Sequence, residues 1–257
     1  MTAEAALVGA DRLLGGRIRL SQPVKGYRVA IDPVLLAAAV PSRGIDLVLD
    51  AGAGTGAASL CLAARLADCR IVALERDPEM LALLERNVRD NGFSDRIRVL
   101  GGDLADPPAE LRRLTFDLVM TNPPYGAAGR GTPAAPERHS ATVESLPLAT
   151  WIAACLRRLA PRGHLLVIHR GDRLAELVRA VAAGCGDLRL FPLWPRGDAG
   201  AANRLLLLAR KGVRSPSRLL RGLVLHRPDG GFTPEAAAVL REAAALELLP
   251  PDRGETR

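Results

Sequence analysis

The sequence predicts an α/β fold built on a doubly wound, mostly parallel seven-stranded sheet whose last strand is antiparallel. From Asp46 onward, short apolar runs alternate with amphipathic stretches of helical period, which is typical of parallel strands buried on both faces. After the fifth run, two apolar segments follow each other with no helical stretch between them, which predicts an antiparallel hairpin. The predicted strands are 46–50, 70–75, 97–102, 116–121, 164–169, 188–193 and 204–210.

Local signals and the flanks of the chain complete this prediction. Asp77-Pro78 supplies an N-cap and a proline for the first turn of a helix, which should stop at Asn91-Gly92. We expect a core at 46–211, an N-terminal extension at 1–45 that contributes to the cofactor and substrate pocket, and a C-terminal extension at 212–257. The last of these carries one strand-like run, 223–226, and one helical stretch, 234–249.

Composition and charge limit the classes of function. With 257 residues and 48% apolar content, the chain can bury one sizeable core. Its 35 Lys and Arg against 28 Asp and Glu favour an anionic partner, nucleic acid before membrane, although plain solubility would also explain them. The scattered cysteines predict buried thiols in a reducing cytosol and no metal site, and no apolar run is long enough to span a bilayer. We therefore expect a cytoplasmic protein. The cysteines are Cys61, Cys69, Cys155 and Cys185.

The first predicted strand runs into "DAGAGTG", Asp50 to Gly56, at a strand-to-helix turn where backbone can approach a ligand closely. Gly52, Gly54 and Ala57 also satisfy the dinucleotide pattern, so NAD binding stays open. The further glycine at Gly56 and the acid at Asp50 favour S-adenosylmethionine, whose aminoacyl tail carries an ammonium and which has no pyrophosphate. A flexible loop without a ligand is the third interpretation.

Two further carboxylates follow strands on the same side of the predicted sheet. Glu75 ends the second strand, 19 residues past Gly56, where a carboxylate can accept both hydroxyls of a ribose. Asp77 is better suited than Glu75 to cap the next helix. Asp103, just after the third strand, is predicted to accept the adenine amine of the cofactor, although Gly-Asp is also common in turns.

The fourth predicted strand stops at Asn122-Pro123-Pro124-Tyr125. Two prolines remove two backbone donors and fix φ, so the chain must leave the sheet there in a rigid form. A planar amine has two N–H donors. The side-chain oxygen of Asn122 can accept one of them and the carbonyl of Pro123 the other, while Tyr125 stacks on an extruded base. Asn122 is also expected to touch the methionine end of the cofactor. A rigid turn is the alternative.

In this order, the motifs resemble class I S-adenosylmethionine-dependent methyltransferases, a Rossmann-like fold, with an "NPPY" motif. Together with "QPVKGYRVAIDPVLLAAAV" (22–40), "RLLLLARKG" and "LVLH", they resemble more closely the bacterial tRNA (adenine-N6) methyltransferases that act on valine tRNA. The resemblance implies methyl transfer to the exocyclic amine of adenine in RNA, with tRNA near the anticodon as the favoured substrate.

The resemblance also implies that the segment before the core closes over the pocket. Tyr27 and Asp32 would then face the cofactor, and Gln22 and Arg28 the RNA. Asp32-Pro33 is equally typical of a helix N-cap followed by a first-turn proline.

Further RNA contacts are expected from basic residues near the carboxyl edge of the sheet, although a solvated face would have the same composition. The candidates are Arg28, Arg130, Arg138, Arg210, Lys211 and Arg214. Arg130 and Arg138 lie in a polar loop, 126–146, which is rich in Gly and Arg where the family is expected to carry aromatic and acidic residues. That departure leaves the RNA species and position open.

Several alternatives share part of this pattern. Protein-glutamine N5-methyltransferases also carry "NPPY", but usually after a separate helical domain, whereas only about 45 residues precede the first core strand here. An rRNA guanine-amine methyltransferase stays possible. A DNA adenine methyltransferase would need a large target-reading insertion, and none is present. A non-catalytic RNA-binding module would be expected to lack Asn122 or the glycines, and both are present.

Overall fold

The computed structural model of the chain describes residues 8–23, 31–124 and 146–249. In these residues the strands are β1 Val8–Leu13, β2 Ile18–Pro23, β3 Leu47–Ala51, β4 Arg70–Glu75, β5 Ile97–Gly101, β6 Phe116–Thr121, β7 Leu159–Arg170, β8 Cys185–Arg196, β9 Arg204–Lys211, β10 Arg218–Leu219 and β11 Leu223–His226. The helices are α1 Asp32–Ala38, α2 Ala57–Arg65, α3 Pro78–Asp90, α4 Ala109–Arg112, α5 Leu148–Arg158, α6 Leu174–Ala182 and α7 Pro234–Glu242.

The central sheet runs in the order β10-β8-β9-β7-β6-β3-β4-β5, with β11 also paired to β8. All neighbouring pairs are parallel except those of β9, which is antiparallel to both β7 and β8. The predicted α/β fold, the seven predicted strands and the antiparallel hairpin are therefore confirmed, and β10 and β11 extend the sheet to nine strands among the described residues. The antiparallel strand lies inside the sheet, between β7 and β8, rather than at its edge.

Helices cover both faces of this sheet, as the continuous apolar strands require. On one face α1, α2, α3 and α7 pack against side chains such as Val48. On the other face α4, α5 and α6 pack against side chains such as Leu49. The two halves of the core are thus separated by the sheet, and its carboxyl edge is left for the loops.

The flanking segments hold elements that the sequence did not predict, among them the short strand β10, which pairs with β8. β1 and β2 form a separate antiparallel hairpin ahead of α1. The predicted strand at 223–226 is confirmed as β11. The helical stretch predicted at 234–249 ends as a helix at Glu242, because Ala243 adopts a left-handed conformation with φ of 63°.

Candidate active site

The glycine turn and the Asn-Pro-Pro segment leave neighbouring parallel strands at the same level. Ala51, the last residue of β3, pairs with Thr121, the last residue of β6. The residues that follow, Gly52 and Asn122, therefore emerge side by side at the carboxyl edge, where open α/β sheets bind their ligands. The two motifs are therefore neighbours at this edge of the sheet.

The glycine turn forms a cradle that a side chain would fill or distort. Gly52, Gly54 and Gly56 have φ values of 76°, 56° and 88°, a region that favours glycine. A Cβ on Gly56 would clash with Cδ1 of Leu84, which is fully buried. A Cβ on Gly54 would meet nothing within 4 Å in the described chain, so this side of the turn is open to a ligand.

Asp50 is buried at the base of this cradle. It is 2% exposed, and its Oδ2 accepts a hydrogen bond from the Ser59 hydroxyl at 2.6 Å. Burial raises the pKa of Asp50 from 3.8 to about 6; the Ser59 hydrogen bond opposes the rise, and the nearby charge of Glu75 adds to it. A buried carboxyl in this state gains from a cationic partner, which fits the ammonium of an aminoacyl tail.

Glu75 links the glycine turn to the start of α3. Its Oε2 accepts the Gly54 N–H at 2.7 Å, and its Oε1 accepts the N–H groups of Arg76 and Asp77 at 2.8 Å each. The carboxylate is thus held in one orientation at the rim of the cradle and keeps acceptor capacity for a hydroxyl. Asp77 caps α3 as predicted, accepting two backbone N–H groups of its first turn.

Asp103 makes the turn contacts that its Gly-Asp context favours. Its Oδ1 accepts the Ala105 N–H at 2.8 Å, and its Oδ2 lies 3.6 Å from Arg76. Both side chains of this pair are largely exposed, so the pair itself contributes little stability. The predicted contact of Asp103 with adenine stays a prediction.

The end of β6 is fixed by a network that sequence reasoning missed. The Thr121 hydroxyl donates to the Ala51 carbonyl at 2.8 Å and accepts the indole N–H of Trp151 at 3.0 Å. The Trp151 ring also lies 3.1 Å from the place where a Cβ on Gly52 would stand. Trp151 therefore supports both strand ends, just before Asn122 on one and the cradle on the other. The sequence feature that could have predicted this role is a tryptophan on the first helix after 126–146, in a chain with only two tryptophans.

We expect Trp151→Phe to lower the free energy of unfolding by about 1 kcal/mol, because it deletes the bond to Thr121 while keeping a ring. Thr121→Val should cost about 1–3 kcal/mol, since it leaves the buried indole N–H without an acceptor. The double variant should lose less than the sum of the two. Urea unfolding followed by circular dichroism measures all three, and strictly additive losses would contradict the network.

The sites predicted ahead of the core are only partly described. Gln22 is buried and its side chain donates to Asp11. Asp32 is the first residue of α1, 7% exposed, with Oδ2 3.0 Å from Nε of Arg204. The N-cap interpretation of Asp32 is wrong, because Ile31 occupies that position and no side chain caps the helix. The remaining predicted site residues, in this segment and after β6, lie outside the described residues: Tyr27, Arg28, Tyr125, Arg130 and Arg138.

One predicted group of RNA contacts lies elsewhere than expected. Because β9 runs antiparallel, Arg204 stands at the carboxyl edge, opposite Arg170, whereas Arg210 pairs with His164, which lies opposite Leu118 near the start of β6. The expectation that Arg210, Lys211 and Arg214 lie near the carboxyl edge is therefore wrong. The Lys211 ammonium instead donates to the Leu159 carbonyl at 2.7 Å, at the amino edge.

Among residues 8–23, 31–124 and 146–249, no three His, Cys, Asp or Glu side chains are grouped so as to hold a metal ion. Within the same residues, none of the helices combines the length and apolar character needed to cross a membrane.

Comparison with known proteins agrees with this geometry. A family described as "Methyltransferase domain" matches residues 48–127, which include the cradle and Asn122. The tRNA1(Val) (adenine(37)-N6)-methyltransferase of Porphyromonas gingivalis strain W83 is 32% identical over 222 residues, 81% of this chain and 85% of that protein. The protein of the same name from Aeromonas hydrophila is 34% identical over 211 residues, 80% and 85% of the two chains.

The chain belongs to the tRNA1(Val) (adenine(37)-N6)-methyltransferase family.

A solved structure extends the likeness to the fold. It is a predicted O-methyltransferase from Agrobacterium tumefaciens, 29% identical, with a TM-score of 0.69 over 84% of this chain and 98% of that one. The sequence motifs predicted a resemblance to methyltransferases with an "NPPY" motif. This resemblance is confirmed at the level of family and fold.

Proposed function

We propose that the protein transfers a methyl group from S-adenosylmethionine to the exocyclic amine of adenine in RNA, and that the RNA is a tRNA modified beside the anticodon. The observation that carries this proposal is the pairing of Ala51 with Thr121, which brings the cradle and Asn122-Pro123-Pro124 together. The family and its named relatives support the adenine amine as acceptor. A cytoplasmic location, predicted from the sequence, is part of the same proposal.

The described residues fit the cofactor. The open side of Gly54 leaves room for it, the buried Asp50 carboxyl gains from its ammonium, and Glu75 stands at the rim with free acceptor capacity for its ribose hydroxyls. When bound, S-adenosylmethionine supplies a methyl group on a positively charged sulfur.

The chain's own contribution to the reaction is to position and polarise the amine. An adenine amine is a weak nucleophile because its lone pair is delocalised into the ring. The Asn122 side-chain oxygen and the Pro123 carbonyl accept its two N–H donors, which favours a pyramidal nitrogen and stabilises the positive charge that develops on it. Pro124 makes the backbone rigid directly after this carbonyl, because its ring fixes φ.

The RNA would be held by basic side chains around this edge. We assign Arg28, Arg130 and Arg138 to phosphate contacts near the target base. Because Arg210 and Lys211 lie at the opposite edge, they can reach only RNA that is distant from the modified base. These contacts would make RNA affinity strongly dependent on salt concentration.

Mass spectrometry of nucleosides tests the reaction. The purified protein is incubated with S-adenosylmethionine and unmodified tRNA, and the digested RNA should contain N6-methyladenosine. N2-methylguanosine would support the guanine-amine alternative instead. A methylated glutamine peptide beside unchanged RNA would support a protein substrate, and cofactor binding with no product would indicate a binding module.

Cofactor affinity should depend on pH through Asp50. The pKa of this carboxyl in the free protein is about 6, so it must lose a proton to face the cofactor's ammonium below that pH. We expect the dissociation constant to rise about tenfold for each pH unit below 6 and to level off above 7. Calorimetry from pH 5 to 8 measures this. Asn at this position keeps the shape without the charge, so Asp50→Asn should bind weakly at all pH values. A wild-type affinity that is constant across the range would exclude the contact with the ammonium.

A further inference from the structure

Helix α3 and its C-cap residue present two asparagine side chains, Asn87 and Asn91, to the outer edge of β2 in the N-terminal hairpin. The Asn87 oxygen accepts the Ser21 N–H at 2.7 Å, and its nitrogen donates to the Ser21 carbonyl at 2.9 Å. Asn91 makes the same two bonds with Arg19, at 2.9 and 2.7 Å. Each amide therefore pairs with one residue of the strand as a neighbouring strand would.

The spacing of these pairs explains why a helix can replace a strand here. Four residues of α-helix rise about 6.0 Å, and two residues of β-strand span about 6.6 Å. Side chains at positions 87 and 91 consequently meet alternate residues of β2, Ser21 and Arg19. The other edge of β2 pairs with β1. The backbone of β2 is thus hydrogen-bonded along both of its edges.

Only Asn87 reaches beyond the hairpin. Its nitrogen also donates to the Thr55 carbonyl at 2.9 Å, whereas the Asn91 nitrogen donates its second bond to the Asn87 carbonyl of its own helix. Asn87 is 1% exposed, and both of its N–H donors are used. It therefore connects the hairpin directly to the glycine turn.

The Thr55 peptide lies at the centre of the cradle. It stands between Gly54 and Gly56, both in left-handed conformations, and its N–H group, on Gly56, donates to the Ala53 carbonyl at 2.9 Å within the turn. Glu75 fixes the N–H of Gly54 from one side, and Asn87 fixes the Thr55 carbonyl from the other. The shape of the cradle consequently depends on both side chains.

We propose that Asn87 is a positioning residue of the cofactor site, which couples the seating of the N-terminal hairpin to the affinity of the glycine turn for S-adenosylmethionine. The inference rests on the proposed function in one respect, the placement of the cofactor at this turn. The coupling is reciprocal, since a bound cofactor must stabilise the hairpin as much as the hairpin stabilises cofactor binding.

Asn91 provides the matched control, because it makes the same pair of bonds to β2 and none to the cradle. Calorimetry on the full chain should show Asn87→Ala raising the dissociation constant for S-adenosylmethionine about tenfold, as expected for one buried hydrogen bond. Asn91→Ala should change it less than twofold. Both variants should lower the melting temperature of the cofactor-free protein, since both lose the bonds to the hairpin.

Hydrogen exchange of the Ser21 amide gives a readout that is independent of activity. In wild-type protein and in Asn91→Ala, added cofactor should slow this exchange, and in Asn87→Ala it should not. Asn87→Asp keeps an acceptor for the Ser21 N–H but loses both donors. Added cofactor should therefore not slow exchange of the Ser21 amide in this variant either, although β2 keeps its hydrogen bond to position 87.

Equal dissociation constants in Asn87→Ala and Asn91→Ala would overturn the inference while leaving the proposed function intact. Cofactor-dependent protection of Ser21 that survives in Asn87→Asp would overturn it as well. Wild-type protein that does not bind S-adenosylmethionine would instead remove the proposed function, and the inference with it.

Discussion

Asn122→Ala is expected to slow single-turnover methyl transfer to unmodified tRNA by a hundred- to thousandfold. The substitution removes one preorganised acceptor at the atom where positive charge develops, a loss of about 2.7–4 kcal/mol in comparable sites. The measurement uses saturating cofactor and enzyme in excess over RNA, so that neither cofactor binding nor product release limits the rate.

Cofactor binding separates this effect from a damaged site. The cradle, Asp50 and Glu75 are untouched by the substitution, so affinity for S-adenosylmethionine should fall by only a few-fold. Asn122→Asp keeps an acceptor but adds a charge, and it should retain more activity than Asn122→Ala if acceptance of the N–H is what matters. Full activity in Asn122→Ala would sink the proposed mechanism.

Glu75→Ala should weaken S-adenosylmethionine binding by a hundredfold or more. The carboxylate has two roles, because it orients Gly54 and Asp77 through their N–H groups and is proposed to accept the ribose hydroxyls. Hydrogen bonds to a charged group contribute about 1.5–3 kcal/mol each, so losing two cofactor contacts suffices for this effect. Calorimetry measures the dissociation constant.

Asp77→Ala is the matched control for Glu75. It deletes a carboxylate that, like Glu75, accepts backbone N–H groups, here those of Glu79 and Met80, and it should cost about 1 kcal/mol of stability through the lost helix cap. Its cofactor affinity should stay close to wild type. A cofactor analogue without ribose hydroxyls should bind wild-type protein weakly. Glu75→Ala should bind this analogue as tightly as it binds the natural cofactor. A Glu75→Ala variant that still binds the natural cofactor more tightly than the analogue would rule out the ribose contact.

The central strands were predictable because burial on both faces leaves an unbroken apolar run. This signal located β3 to β6 within a residue or so. It missed the first residues of β7 and β8, where a charged residue in "LAPRG" and in "CGD" interrupts the apolar run. The order of strands then placed Asp50, Glu75 and Asn122 at one edge. Those parts of the site depend only on local sequence and on the parallel topology.

The remaining parts depend on contacts between distant residues. The hairpin β1–β2 is short and half polar, and its outer edge is satisfied by two side chains of α3, some 70 residues away along the chain. The ion pair between Asp32 and Arg204 spans 172 residues. The misplacement of Arg210 has a simpler cause, since the predicted reversal of β9 already implied that this end of the strand lies at the amino edge.

The contacts of α7 with the start of the chain bear on how the protein is made. Arg17 donates to the Glu242 carbonyl, and the Leu246 N–H donates to the Ala38 carbonyl, so the first and last described segments complete each other. During synthesis the hairpin and α1 leave the ribosome well before their packing partner exists. Closing a loop of some 200 residues is slow compared with forming local contacts. The packing of the hairpin beside the cofactor cradle can therefore be completed only after residues 234–249 have been synthesised, later than every strand of the central sheet.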